Sequence, residues 1–311
     1  MWNARRLVGE KTRARLGSGL LALALVAFGL ASPVSASAEE PSVPDYVVSK
    51  VVDGDYISFP NPFTGAAWTI HLPRIEIPIG SYTLDLSITR HLVVMWVSAL
   101  ALVLVVSLAA RRRSLVPKGF YSMVELIVQF VRDELAAKNI GKEEGKRWVP
   151  FLATAFFFIF FMNLLGLFPY SATATGNLSV TAGLALCTFA LTLVAGMRAH
   201  GFFGYWGSIV PQGVPLWLYP IMVPVELLGL LTKPFALAVR LFANMVAGGF
   251  VIYFLLGLIF MLGEGIAPVV APVSVAFATA MYLLKLFVAF LQAYIFTMLS
   301  ALFIGMSAQA H

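Results

Sequence analysis

The sequence predicts an all-α, polytopic membrane protein with about five transmembrane helices. Its 311 residues are 60% hydrophobic and only 12% charged, whereas soluble domains are about half apolar and about a quarter charged. Several apolar runs reach the roughly 20 residues that span a bilayer. The net charge of +6 does not indicate nucleic-acid binding, because the largest group of basic residues lies in one segment between apolar runs. A single cysteine, Cys187, excludes a disulfide framework and a cysteine metal site.

The N-terminal region, residues 1–38, has the pattern of a signal peptide. A basic start and a short apolar core precede Ala36-Ser37-Ala38, which has the small-x-small form of a signal peptidase site. We interpret this region as a cleaved export signal, with an uncleaved first membrane anchor as the alternative. Residues 39–88 follow as a polar extracytoplasmic segment, in which short alternating stretches and turn residues favour a β-hairpin.

The distribution of basic residues predicts the topology. The first predicted span, residues 91–110, is followed by nine lysines and arginines within residues 111–147, whereas the next loop, residues 169–178, has none. The positive-inside rule therefore places residues 111–147 in the cytoplasm. It follows that the processed N-terminus is outside and that, after five spans, the C-terminus is cytoplasmic.

An amphipathic helix is predicted at about residues 118–138, within this cytoplasmic segment. Six apolar residues recur at helical spacing and four polar residues lie opposite them, a pattern typical of a helix on the membrane surface. The apolar residues are Phe120, Met123, Val124, Ile127, Val131 and Leu135, and the polar ones are Glu125, Gln129, Arg132 and Asp133.

The remaining spans differ in length. Residues 149–168 and 179–197 form an out-and-back pair, with Asn163 as the strongly polar residue of the first arm. As single helices, residues 219–261 would reach about 64 Å and residues 273–304 about 48 Å, against a hydrocarbon thickness of about 30 Å. Helices of this length fit a bilayer only when steeply tilted. Packing along a large curved partner in the membrane would explain such a tilt.

Both long helices carry polar residues seven positions apart, so these side chains lie near one face of each helix. Intramembrane charges are costly and mark an ion or substrate path by default. A lysine near the cytoplasmic end can instead extend its ammonium to the interface, whereas the arginine is too deep for that. The residues are Glu226, Lys233 and Arg240 on the first helix, with Asn244 one turn later, and Lys285 and Gln292 on the second.

Three stretches resemble the subunit a family of the F-type rotary ATP synthase: KPFALAVRLFANM at 233–245, LLKLFVAFLQAYIF at 283–296 and MNLLGLFP at 162–169. The resemblance covers about residues 80–306, and RLFANM is its most specific part. It implies a membrane domain at residues 89–311, in a proton-translocating stator subunit that provides two half-channels to a rotating ring of c subunits. The expected partners are the c ring, the subunit b peripheral stalk, the remaining complex and the lipid bilayer, in the bacterial inner membrane.

The resemblance also assigns roles to individual residues. Arg240 matches the essential arginine, and Asn244 and Gln292 match polar residues near it. Glu226 matches an acidic residue toward the cytoplasmic half-channel, and Asn163 a polar position toward the outer one. An arginine that stays charged would lower the pKa of a passing ring carboxylate and block direct proton transfer between the half-channels.

Two positions depart from the family pattern. Nine residues after the arginine the family usually has Glu or His, where this chain has Gly249, and seven before the glutamine it usually has His or Glu, where this chain has Lys285. Lys285 either relays protons, since desolvation lowers the pKa of buried lysines, or is a fixed charge beside a water-filled channel. Gly249 would leave room for that water. Glu264 and water held by Asn163 are further candidates for the entry route.

A stand-alone secondary transporter or ion channel is the alternative function. Transporters of this kind have two similar halves with broken helices in corresponding places, and the sequence has no such repeat. A purely structural anchor would leave Arg240 and Lys285 unexplained. The chain lacks a phosphate-binding glycine loop, so we expect no catalysis by the chain alone, no cofactor and no metal site.

Overall fold

The described residues of this computed structural model form two compact units, Gly54–Arg90 and the helical part from His91 onwards. The predicted signal peptide, residues 1–38, and Glu264 lie outside the described residues. The described residues are 54, 56–60, 67–73, 75–79, 82–85, 87–111, 119–168, 173–208, 216–262 and 266–308.

The first unit contains two antiparallel β-hairpins. Strand β1 (Tyr56–Pro60) pairs with β2 (Ala67–His71), and β3 (Glu76–Ile79) pairs with β4 (Tyr82–Asp85). The sequence predicted one hairpin in this segment, whereas the structure has two. The alternating stretch at residues 71–78 is divided between them, since it contains the last residue of β2 and most of β3.

Five helices of the described residues are long and apolar enough to cross a membrane, which confirms the predicted fold class. Several shorter elements connect them. The long helices are α1 (Arg90–Arg111), α4 (Lys142–Leu165), α5 (Leu178–His200), α7 (Tyr219–Met261) and α8 (Ala267–Ala308). The short elements are α2 (Phe120–Phe130), a π-helical segment (Val131–Ala136), α3 (Ala137–Asn139), α6 (Phe202–Ser208) and two 3₁₀ turns, Ala174–Gly176 and Leu216–Leu218.

The two predicted long helices are present, with 43 residues in α7 and 42 in α8. At about 1.5 Å per residue each exceeds 60 Å, about twice the hydrocarbon thickness, so both must be steeply tilted in a bilayer. Helix α8 is longer than predicted at both ends. Pro268 stands in its first turn, where the missing N–H has no helical partner, and Gly305 continues the helix where a close contact requires a small residue.

The predicted amphipathic helix is formed by α2, the π-helical segment and α3 together. On the predicted apolar face, Val124, Val131 and Leu135 are buried against the protein. Met123, on the same face, is 52% exposed, so only part of the predicted face packs against the other helices. The π-helical turn is a rare form that places one extra residue in the turn.

Two glycines allow this surface helix to approach the membrane helices closely. A Cβ on Gly145 of α4 would lie 2.9 Å from the Ala136 carbonyl oxygen, and one on Gly305 of α8 would overlap the Asn139 carbonyl oxygen. The end of the surface helix is therefore held by backbone contact with α4 and α8.

The hydrophobic core lies among α4, α5, α7 and α8, with α8 in contact with each of the other three. Phe156, Ile159 and Met162 of α4 are fully buried. Phe156 also packs edge-on against Phe290 of α8, with ring centroids 5.7 Å apart. Helices α7 and α8 keep a long exposed apolar face, and a charged residue lies near its centre.

Candidate functional site

That charged residue is Arg240, at the middle of α7, 21 residues after Tyr219 and 21 before Met261. Its side chain is exposed, and among the described residues it has no hydrogen-bond or ion-pair partner. The neighbouring exposed positions on this face, Ala236 and Ala243, are small. The guanidinium therefore projects from the helix bundle without a counter-charge from the described part of the chain.

One turn from Arg240, a polar contact joins the two long helices. Asn244 Nδ2 of α7 donates to Gln292 Oε1 of α8 at 3.2 Å. Gln292 is 2% exposed, and its Nε2 is buried without a partner among the described residues. A buried unpaired donor costs about 1–3 kcal/mol, so Gln292 Nε2 is available to a polar group that enters beside Arg240.

A second polar contact lies inside the bundle at the end of α4. Asn163 is 0% exposed; its Oδ1 accepts from Thr175 Oγ1 at 2.7 Å, and its Nδ2 lies 3.5 Å from the Ala289 carbonyl oxygen of α8. Thr175 belongs to the 3₁₀ turn Ala174–Gly176, and both Ala174 and Thr175 are fully buried. The loop that the sequence predicted as a simple external connection thus contributes two residues to the interior.

Lys285 of α8 lies against two consecutive glycines of α7. A Cβ on Gly248 would lie 3.5 Å from Lys285 Cδ, and a Cβ on Gly249 would lie 3.7 Å from Lys285 Nζ. Next to it on α8, the Tyr282 hydroxyl donates to the Leu167 carbonyl oxygen near the end of α4. The space that the prediction assigned to water beside Gly249 is therefore occupied by the Lys285 ammonium.

The remaining polar residues of α7 do not form one continuous stripe. Glu226 is exposed, 14 residues before Arg240 and so about 21 Å away along the helix. Lys233 is half-buried, and its Nζ lies 5.8 Å from the centroid of the Phe303 ring of α8. The predicted common face is correct for Glu226 and Arg240, whereas the flexible stem of Lys233 turns toward α8.

His91 and Thr175 are two polar residues of the interior that the sequence did not single out. His91, the second residue of α1, is 3% exposed, and its Nδ1 lies 2.8 Å from the Thr173 carbonyl oxygen. His91 could have been noticed because it is a histidine at the edge of an apolar run. Thr175 is a threonine in a polar loop, and the sequence gives no sign that it is buried. Among the described residues no group of three or more His, Cys, Asp or Glu side chains could hold a metal ion.

Comparison with known proteins identifies the family. The family described as ATP synthase A chain matches residues 92–305, which include all six site residues predicted from the sequence. The chain belongs to this family. Its relatives include ATP synthase subunit a of Myxococcus xanthus (strain DK1622), which is 63% identical over 236 residues, or 75% of this chain and 77% of that protein.

More distant members of the family cover more of the chain. ATP synthase subunit a of Chloroherpeton thalassium is 50% identical over 269 residues, 85% of this chain and 76% of the relative. ATP synthase subunit a 2 of Chlorobaculum tepidum is 42% identical over 309 residues, 95% of this chain and 84% of the relative. The resemblance predicted from RLFANM is confirmed, and the chain is a multi-pass subunit of the ATP synthase membrane sector.

Proposed function

We propose that the chain is the proton-translocating stator subunit that faces a rotating ring of c subunits and couples ion flow to rotation. The observation that carries this proposal is the exposed Arg240 at the middle of α7. An arginine at the centre of a membrane helix costs about 2.5–3.5 kcal/mol on insertion scales and is usually paired. Because the described part of the chain supplies no partner, a carboxylate of another subunit, packed on this face, is the partner that fits.

The chemistry follows from the permanent charge of arginine. A ring carboxyl that arrives opposite Arg240 has its pKa lowered by about 1–3 units by the guanidinium, and so releases its proton. Asn244 and Gln292, joined at 3.2 Å beside Arg240, hold the two long helices in register at this point. The same positive charge prevents a proton from crossing directly, which would dissipate about 2.3 kcal/mol per charge per 100 mV of membrane potential without rotation.

Polar residues on the two sides of Arg240 would form the two half-channels. Lys285 and Asn163 line the outer route, and Glu226 lies on the cytoplasmic route. This orientation rests on the basic residues between positions 111 and 147, which favour a cytoplasmic location for that segment. The processed N-terminus is then outside and the C-terminus cytoplasmic, in the bacterial inner membrane.

The partners follow from the exposed face and from the family. The ring of c subunits packs along α7 and α8, and the subunit b stalk and the rest of the complex hold the chain against rotation. Nucleotide chemistry belongs to other subunits. A stand-alone transporter is disfavoured, because it needs its substrate site within the chain, whereas Arg240 projects away from the bundle.

The experiment that tests this function is Arg240→Ala in the whole complex, reconstituted in vesicles. We expect ATP-driven proton pumping and proton-driven ATP synthesis to be abolished while the complex still assembles. Arg240→Lys should rescue poorly, because an ammonium is more strongly hydrated and loses its proton more readily when desolvated.

Arg198→Ala is the matched control for this experiment. Arg198 is an exposed arginine in the last turn of α5, away from Arg240, and its removal should leave most of the pumping intact. Coupled pumping that survives Arg240→Ala would overturn the proposed function.

A further inference from the structure

A buried histidine at the start of α1 is not among the residues of the two proposed half-channels. His91 lies at the start of α1 and is 3% exposed. Its Nδ1 lies 2.8 Å from the Thr173 carbonyl oxygen, in the connection between α4 and α5. Because a carbonyl oxygen only accepts, Nδ1 carries the hydrogen. Nε2 is then the ring nitrogen that gains or loses the titrating proton.

This histidine adjoins the polar residues of the proposed outer route. Gly176 lies close to it: a Cβ built on Gly176 would be 4.0 Å from His91 Cε1 and 3.9 Å from Val246 Cγ2 of α7. Within the same 3₁₀ turn, Thr175 donates to Asn163. Val246 is two residues beyond Asn244, which bonds Gln292. The turn Ala174–Gly176 therefore connects the surroundings of His91 with the polar contacts near Arg240.

We propose that His91 is the proton-binding group at the entrance of the outer half-channel. Its ring takes a proton from the outer phase on Nε2, the imidazolium releases a proton from Nε2 to water in the half-channel, and that water passes a proton on to a carboxylate of the ring of c subunits. The neutral ring of His91 is thereby restored for the next ion. Histidine suits this step because its charge changes between about pH 5 and 8. The inference rests on the proposed function. His91 would replace the proton-relaying Glu and His of the family pattern, at whose positions this chain has Gly249 and Lys285.

Other ionisable groups lie on the described parts of the helices near His91. They include Arg90, which precedes it on α1, and, on the two long helices, Tyr219, Glu226, Lys233, Arg240 and Tyr253 of α7 and Tyr282, Lys285 and Tyr294 of α8. The connection between α4 and α5 has no ionisable side chain at residues 166–168 and 173–178. Glu226 and Lys233 precede Arg240 on α7, whereas Val246, near Gly176 and His91, follows it. Since tyrosine, arginine and lysine ordinarily keep their protons at neutral pH, His91 is the group on the Val246 side of Arg240 whose charge suits proton transfer there.

His91→Asn separates proton binding from a structural role. An asparagine amide retains a donor near the position of Nδ1 and can still bond the Thr173 carbonyl oxygen, but it does not bind a proton at working pH. We expect the whole complex to assemble and the rate of proton-driven ATP synthesis to fall tenfold or more, as is typical for loss of an acid–base group. The dependence of that rate on outer pH between about 5 and 8 should flatten.

His200→Asn is the matched control, because His200 lies at the opposite end of α5, and it should keep the wild-type pH profile. A near-normal rate and profile in His91→Asn would overturn the proposal. The same vesicles with Arg240→Ala test the proposed function separately: an inactive Arg240→Ala beside a normal His91→Asn rejects only the role of His91. Coupled synthesis in Arg240→Ala rejects the stator function itself.

If His91→Asn does not assemble, the native complex answers the question. Diethyl pyrocarbonate, which acylates neutral imidazole, is added from the outer side, and the adduct on His91 is quantified by mass spectrometry. We expect synthesis to decline in proportion to this adduct and to recover when hydroxylamine removes it. A modified His91 with unchanged synthesis, or a His91 that outer reagent never reaches, contradicts the proposal.

Discussion

The two sides of Arg240 along α7 differ in where their polar groups lie. On the Lys285 side, Asn163 and Thr175 are fully buried and bonded to each other within the chain. On the Glu226 side, the carboxylate of Glu226 is exposed on the helix surface. For the proposed half-channels, this contrast predicts that the outer one is formed by groups inside this chain, whereas the cytoplasmic one is completed by a partner that covers the surface. Substitutions should therefore have larger effects on the Lys285 side.

The largest effect is expected at Lys285 itself. Lys285→Met keeps most of the stem along Gly248 and Gly249 but removes the ammonium, and should slow proton-driven synthesis tenfold or more. Because His91 is the proposed proton carrier, we expect Lys285 to act as a fixed, hydrated charge, so that Lys285→Arg retains most of the rate. The measurement is the synthesis rate against outer pH in both variants.

The outcomes for Lys285 are distinct. Equal loss in Lys285→Arg and Lys285→Met would assign the relay to Lys285, because arginine does not release its proton. Near-normal rates in Lys285→Met would exclude Lys285 both as a proton relay and as a fixed charge. The expected larger effect of substitutions on the Lys285 side of Arg240 would then lose its main support.

An intermediate effect is expected from Thr175→Val, which keeps the shape but leaves Asn163 without its donor. A buried polar group that loses its partner costs about 1–3 kcal/mol, so the complex should dissociate at a lower temperature and synthesis should slow several-fold. Thr175→Ser, which retains the hydroxyl, is the control and should restore both. Equal thermal stability of the valine and wild-type complexes would show that this contact does not support the outer route.

The smallest effect on rate is expected from single cysteine substitutions, whose labelling by a thiol reagent reports which side of the membrane each position faces. Cys187, the native cysteine, is replaced beforehand so that only the introduced thiol reacts. Glu226→Cys should be labelled from the cytoplasmic side and Ser179→Cys, an exposed position at the start of α5, from outside. Thr175→Cys should resist labelling from either side. Because Glu226 is exposed, whereas the polar groups on the Lys285 side are buried, we expect Glu226→Cys to slow synthesis less than Lys285→Met does.

The opposite labelling pattern for Glu226→Cys and Ser179→Cys would reverse the assignment of the two half-channels. Ready labelling of Thr175→Cys would end the distinction between a buried and an exposed side. Ser179 is the appropriate outer position, since Ala174 and Thr175 in the preceding turn are buried.

The sequence alone predicted the features that depend on the pattern of residues within one segment. The length of the apolar run at 219–261 predicted α7 with correct bounds, and the spacing of Arg240 and Asn244 predicted that they share a face. Helix α8 was predicted too short, because prolines near its start and Gly305 near its end were taken as boundaries. Pro268 is tolerated because it stands in the first turn, and Gly305 because a neighbouring segment packs closely against it. Pro272, farther inside the helix, has no such explanation.

The features that the sequence did not predict depend on contacts between distant segments. Thr175 lies in a polar loop, and only its pairing with Asn163, 12 residues earlier, makes it part of the interior. His91 and Thr173 are 82 residues apart. The position of the Lys285 side chain required the glycines of α7 to lie opposite it. Hydropathy and periodicity describe one segment at a time and carry no information on such pairs.

The contact between Gly305 and Asn139 has a mechanical consequence. Gln292 lies 13 residues before Gly305 on α8, so a sideways load applied near Arg240 is carried about 20 Å along a continuous helix to that joint. At that contact the load acts on main-chain atoms of Asn139. Main-chain atoms cannot move aside by changing rotamer, as long side chains can. The surface helix thus supports α8 at a stiff contact. In the proposed stator, we expect a sideways load from the ring of c subunits to be absorbed elsewhere in the complex.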